Sequence, residues 1–203
     1  MRLSYRIATS TIRCLMKYGF RYKVENKERL ADWTPCIIAA NHLSYFDPPF
    51  IGSVLPTEIS FLAKTELFEV PLFGNMIRYF NSIPVRRGSI DRATIDQVTA
   101  VLADNRSILI FPEGGRKSFT AKPGIGIVVR ETGMPVQPVY IKYSYLFKIG
   151  PIKKRKVKIY IGERIDTTHY MELPKEKDTY RLISKEILNK INQLPYEKNS
   201  KIS

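Results

Sequence analysis

The chain reads as an α/β fold: a mostly parallel or mixed central sheet flanked by helices, with an amphipathic helix at its N-terminus. Three observations predict it. Residues 36–40 and 107–111 are short apolar runs of the length expected for strands buried on both faces. Segments with apolar residues every three to four positions alternate with such runs, which implies a largely parallel sheet. The 203 residues, 44% of them hydrophobic, suffice for a single domain with a substantial core.

In chain order, residues 1–20 form a basic amphipathic helix. At ~100° per residue, Arg2, Arg6, Arg13 and Lys17 share a narrow face, and Ile7, Ala8, Ile12, Leu15, Met16 and Tyr18 spread over the rest. Such a helix either lies in a membrane interface or packs its apolar side on the domain behind it; the cationic excess favours the membrane. A strand at 20–24 and a polar connection at 27–34 precede the strand at 36–40. Pro48 opens a short helix over 48–55, and 60–63 is a strand ending at Lys64. Residues 66–80 are rich in apolar side chains but interrupted by Pro71 and Gly74, so a broken helix is expected. A strand at 82–85 runs into Arg86, Arg87 and Gly88. Ser89 or Asp91 then caps a helix to Ala103, with Ala93, Ile95, Val98, Val101 and Leu102 inward. After the strand at 107–111 come strands at 136–145 and 156–161, the latter alternating Lys with Ile or Tyr as an edge strand would. A helix over 178–194, with Leu182, Ile183, Ile187, Leu188 and Ile191 on one side, closes the fold. Residues 196–203 are expected to fray.

Charge is the outlying quantity. Thirty-three Lys and Arg against 19 Asp and Glu leave +14 at pH 7, with a pI near 9.8. Such a surface suits nucleic acid, anionic lipid or an acidic substrate. The cations are dispersed, even counting Lys153, Lys154, Arg155 and Lys156, and no nucleic-acid-binding signature is present, so that class ranks below the others. Cys14 and Cys36 lack CxxC spacing and the second histidine, His169, sits in a turn-like stretch; neither a disulfide framework nor a metal site is expected. No apolar run reaches the length of a membrane span and no secretory signal is evident.

Three stretches carry chemistry. His42 and Asp47 lie on the bend between an apolar strand and the Pro48 helix, where an imidazole can abstract a proton and a carboxylate can orient it. This is a base and its orienter without an obvious nucleophile, and a histidine that merely caps a turn is the plain alternative. The second stretch, Pro112-Glu113-Gly114-Gly115-Arg116-Lys117-Ser118, also leaves a buried strand, so both would sit at carboxyl ends of neighbouring strands. Its glycines allow close backbone approach to a ligand, and Arg116 offers a fork for phosphate. Glu113 would pair with Arg116, Arg86 or Lys117, or meet a polar group of the substrate. The third stretch is the strand ending at Arg86.

Taken together and in this order, the stretches resemble the motifs of the glycerolipid acyltransferase family, in particular its bacterial 1-acyl-glycerol-3-phosphate acyltransferases. The family's His-x-x-x-x-Asp is here His42 to Asp47, its block ending in a hydrophobic strand and Arg is 64–86, and its Phe-Pro-Glu-Gly-Thr-Arg-Ser is Phe111-Pro112-Glu113-Gly114-Gly115-Arg116 with Ser118 one place late. A proline-containing fourth block matches Gly133-Met134-Pro135-Val136-Gln137-Pro138-Val139. Gly115 replaces the usual Thr and Lys117 is inserted before Ser118, which loosens the loop and leaves acceptor choice open. The resemblance implies one acyltransferase domain over 21–195, with residues 1–20 associating with the membrane. It implies His42 as general base, Asp47 as its orienter, and Arg86, Glu113, Gly114, Gly115 and Arg116 as the acceptor-phosphate site. The substrates would be lysophosphatidic acid and a thioester of acyl-carrier protein or coenzyme A, with no cofactor, no metal and no nucleic acid. The location would be the cytoplasmic face of the cell membrane, peripheral or monotopic. Acylation of another lysophospholipid or of glycerol-3-phosphate, and a thioesterase, are the alternatives.

Overall fold

A computed structural model describes residues 2–85, 90–116, 118–149 and 152–197. The strands are β1 (Tyr22–Glu25), β2 (Ile37–Ala40), β3 (Ile59–Lys64), β4 (Ser82–Val85), β5 (Ser107–Ile110), β6 (Val136–Ile149) and β7 (Ile152–Ile161). They form one sheet in the order β1-β7-β6-β2-β5-β3-β4. Every neighbouring pair is parallel except β6 with β7. The central β2 and β5 are buried along their whole length, as apolar runs at the middle of a covered sheet must be.

The helices are α1 (Leu3–Leu15, prolonged by a wider turn over Met16–Phe20), α2 (Asp47–Val54), α3 (Phe73–Tyr79), α4 (Arg92–Ala103), α5 (Gly124–Thr132) and α6 (Lys177–Gln193). Successive strand residues point to opposite faces and so split the core in two. Ile37, Ala39, Ile108 and Ile110 pack with residues of α4, α5 and α6. Ile38, Ala40, Leu109, Val139 and Ile141 pack with Met16 at the end of α1 and with Phe50, Ile51 and Val54 of α2.

Several expectations need correction. Residues 156–161 belong to an interior strand, flanked by β1 and β6; the edges are β1 and β4. The Lys and Ile alternation there reports two faces of one strand: Val157, Ile159 and Ile161 are fully buried, while Lys158 pairs with Glu25 on β1. Leu182 is half exposed and Ser184 takes an inward position on α6; Ala93 is likewise exposed on α4, where Thr94 turns in. Helix α5 had no sequence signal, because Gly124, Gly126 and its β-branched residues are poor helix formers. Packing overrides that propensity: a Cβ at Gly126 would lie 2.0 Å from the Tyr180 carbonyl oxygen, so α5 and α6 cross in near-backbone contact, and the Gly126 N–H donates to Ser184 Oγ at 2.9 Å.

Helix α1 resolves into two apolar faces. Tyr5, Thr9 and Met16 are buried against the domain. Arg2 turns to the same side, bonding Glu58 and the Tyr79 carbonyl, and Arg13 donates to the Ser53 carbonyl. Leu3, Ile7 and Tyr18 point the opposite way, with Leu15 beside them, and remain exposed. Packing on the domain therefore accounts for only half of the apolar pattern.

Candidate active site

β2 ends where Asn41 substitutes its side chain for a further strand peptide. Its Nδ2 donates to the Ile141 carbonyl at 3.0 Å and its Oδ1 accepts the Ile141 N–H at 2.7 Å, which fixes the start of the following loop against β6. The next N–H, that of His42, donates to Glu113 Oε2 at 2.6 Å. Because β2 and β5 are parallel neighbours, the loops after them emerge at one edge of the sheet, and this bond ties the two together.

The loop then closes over Asp47, the first residue of α2, whose carboxylate is fully buried. Oδ2 accepts the N–H groups of Leu43 and Ser44 at 2.6 and 2.7 Å and lies 2.9 Å from His42 Nδ1. Oδ1 accepts the Tyr143 hydroxyl at 2.5 Å. A buried carboxylate needs this many donors, and the helix N-terminus adds a favourable dipole. With an acceptor at Nδ1, that nitrogen carries the ring proton and Nε2 presents a lone pair. The ring stacks on Phe111 at 4.0 Å between centroids and 17° between planes, so its orientation is held from two directions.

The glycine loop is a defined turn. Gly114, at φ +65°, donates its N–H to the Phe111 carbonyl at 3.0 Å, and Lys122 N–H closes the far side on the Pro112 carbonyl at 2.8 Å. The Gly114 amide is thus engaged within the turn, leaving Gly115 as the better placed of the two for a ligand. Arg116 lies with its guanidinium 3.1 Å from the centroid of the Tyr45 ring, so the loop after β2 also carries the cation of the loop after β5. Glu113, expected among the phosphate ligands, points inward: it is buried, braces His42 and forms no ion pair with Arg116 among the described residues. Burial raises its carboxyl above the ordinary glutamate value, the His42 N–H opposes this, and the nearby Asp47 adds to the rise. Arg86 and Lys117 lie outside the described residues. β4, which precedes Arg86, stands three strands from β2, about 14 Å along the sheet.

An apolar rim borders the site. Phe20 meets Phe50 and Phe46 at 5.3 and 6.4 Å between ring centroids, linking the end of α1 to the start of α2. Tyr45 and Phe46 in the His42 loop and Phe119 after the glycine loop are exposed. Sequence reasoning named His42, Asp47 and Arg116 but missed Tyr143, which arrives 96 residues after Asp47 from a strand with no motif of its own.

The chain is similar to known proteins in the region that builds this site. The 1-acyl-sn-glycerol-3-phosphate acyltransferase of Bacillus subtilis is 26% identical over 205 aligned residues, covering 94% of this chain and all of that one. The lyso-ornithine lipid O-acyltransferase of Pseudomonas aeruginosa is 37% identical over 114 residues, covering 54% of this chain and 43% of that one. Among solved structures, the 1-acyl-sn-glycerophosphate acyltransferase of Thermotoga maritima has the same fold, with a TM-score of 0.64 at 24% identity over 99% of this chain and 86% of that one. The acyltransferase family model matches residues 21–142, from β1 through the glycine loop to the strand that carries Tyr143, and the chain therefore belongs to the acyltransferase family.

Proposed function

We propose that the protein transfers a fatty acyl group from a thioester, carried by acyl-carrier protein or coenzyme A, to the free sn-2 hydroxyl of 1-acyl-glycerol-3-phosphate, giving phosphatidic acid. The observation that carries this reading is the buried Asp47 bonded to His42 Nδ1, with Nε2 left as the basic nitrogen. His42 Nε2 takes the hydroxyl proton as the oxygen attacks the thioester carbonyl, and Asp47 stabilises the imidazolium that forms. Collapse of the tetrahedral intermediate expels the thiolate, which receives the proton from Nε2. The substrate's own hydroxyl is the nucleophile: among the described residues no serine, threonine or cysteine side chain bonds to the His42 ring. Arg116 and the Gly115 amide bind the acceptor phosphate and so position the hydroxyl, with Arg86 as a second cation. Glu113 holds the base in place rather than the phosphate.

The outward side of α1 supports a membrane-facing role. Leu3, Ile7, Leu15 and Tyr18 are exposed beside the exposed Arg6 and Lys17, and Phe20 at the end of the same helical stretch meets Phe46 of the His42 loop, so the lipid-facing helix connects to the loop that bears the base. No helix of the described residues is long and apolar enough to cross a membrane. A peripheral or monotopic position on the cytoplasmic face fits a domain of this kind with free thiols at Cys14 and Cys36.

The test is product analysis with purified protein, 1-acyl-glycerol-3-phosphate and an acyl thioester. Phosphatidic acid is expected, falling at least 10²-fold with His42→Ala, and Arg116→Ala should raise KM for the acceptor rather than the donor. Free fatty acid as the main product would make the protein a thioesterase. Preference for another lysolipid would move the acceptor assignment.

A further inference from the structure

We infer that Tyr143 is a positioning residue of the reaction, acting through Asp47. The inference rests on the assignment of His42 and Asp47 as base and orienter.

Asp47 has two oxygens with different neighbours. Oδ2 is crowded by three donors, all from the 42–44 segment that precedes α2. These bonds are local, spanning three to five residues. The partner of Oδ1, in contrast, comes from across the sheet: the hydroxyl of Tyr143 on β6, at 2.5 Å. Without it the carboxylate could rotate about its Cβ–Cγ bond, exchanging its oxygens and swinging Oδ2 off the Nδ1 axis. The Tyr143 bond fixes that torsion and thereby the plane in which His42 is held.

The fold places Tyr143 there by register. Asn41 grips both backbone groups of Ile141, so β6 cannot slide against the loop that bears His42. Val139 and Ile141 point into the α2 side of the core, and Tyr143, two residues on, continues the same row and packs on that core. Its ring thus stands on an apolar base while its hydroxyl reaches Asp47, half-buried and at the end of the row. A phenylalanine would fill the same space and lose the bond to Asp47.

The decisive substitution is therefore Tyr143→Phe. A lost hydrogen bond to a charged, buried acceptor should lower kcat about tenfold while both KM values stay within about twofold. In the Asp47→Asn background Tyr143 meets only a neutral amide and no charge is left to hold against the imidazolium, so the same substitution should lower kcat about threefold at most; a purely structural effect would repeat its tenfold loss there. A second readout does not depend on turnover. The chain has only two histidines, so the ring resonances of His42 are identified by comparison with His169→Gln. In Tyr143→Phe the carboxylate is free to swing Oδ2 off the Nδ1 axis, so the His42 Nδ1 proton should move upfield, with no change at His169. A folded Tyr143→Phe protein with wild-type kcat and an unmoved His42 signal overturns the inference, as does an equal loss in both backgrounds. Absence of acyl transfer by the unsubstituted protein would overturn the proposed function instead, and the resonance shift would still decide whether Tyr143 orients the pair.

Discussion

Replacing Asp47 by Asn probes the site most directly, because the surroundings determine how the amide must sit. The Leu43 and Ser44 N–H groups both aim at Oδ2, so the Asn carbonyl oxygen takes that place and its NH₂ turns to Tyr143, whose hydroxyl can rotate to accept. His42 Nδ1 keeps an acceptor 2.9 Å away and the tautomer is retained. Only the charge is lost. Two unit charges about 4 Å apart at an effective dielectric constant of 20 attract by about 4 kcal/mol; the remaining neutral hydrogen bond returns about 1 kcal/mol. The net loss of about 3 kcal/mol in stabilising the imidazolium corresponds to about a 10²-fold fall in kcat. Asp47→Ala is a poorer test, since it leaves four partly buried donors without an acceptor and would destabilise the fold by several kcal/mol, at about 1–3 kcal/mol each. The assay is phosphatidic acid formation at saturating substrates, with circular dichroism to confirm folding. A folded Asp47→Asn protein retaining a third or more of wild-type kcat would refute the reasoning, because the carboxylate would then contribute geometry alone.

Other outcomes follow from the same geometry. Burial raises the Glu113 carboxyl above its ordinary 4.5, so the folded state holds the proton more tightly than the unfolded one; the associated stability is full below 4.5 and lost as pH rises through the raised value. Glu113→Gln keeps an oxygen for the His42 N–H, so its Tm should fall less than the wild type's from pH 4.5 to 7, as scanning calorimetry at several pH values would show. Gly115→Thr should leave Tm unchanged, since a Cβ there meets nothing within 4 Å, whereas Gly114→Ala should cost about 1 kcal/mol at φ +65° with Lys122 Cγ 3.1 Å away; denaturant melts compare the two. Gly126→Ala should lower Tm by several degrees, from about 1–3 kcal/mol of overpacking between α5 and α6. For the membrane surface, Leu3→Ser, Ile7→Ser and Tyr18→Ser together should weaken sedimentation with anionic vesicles without altering Tm. Removing 1–18 outright would confound the two effects, because Tyr5 and Met16 fill the core.

By itself, the sequence determined the alternation of strands and helices, the two buried strands that deliver His42 and the glycine loop, and the pairing of His42 with Asp47. All of these depend on local chemistry: apolar runs, capping residues, and a five-residue separation across one turn. What only the tertiary structure decided depends on contacts far apart in the chain. Helix α5 forms despite its glycines because α6 approaches Gly126 closely, and residues 156–161 lie inside the sheet because β1 returns to cover them. Glu113 turns inward because the loop after β2 offers it an N–H where a phosphate had been expected. Tyr143 reaches Asp47 because Asn41 fixes the register of β6. Nearest-neighbour chemistry specifies which groups are present; which of them meet is set by strand order and register, and those are fixed by packing summed over the whole sheet.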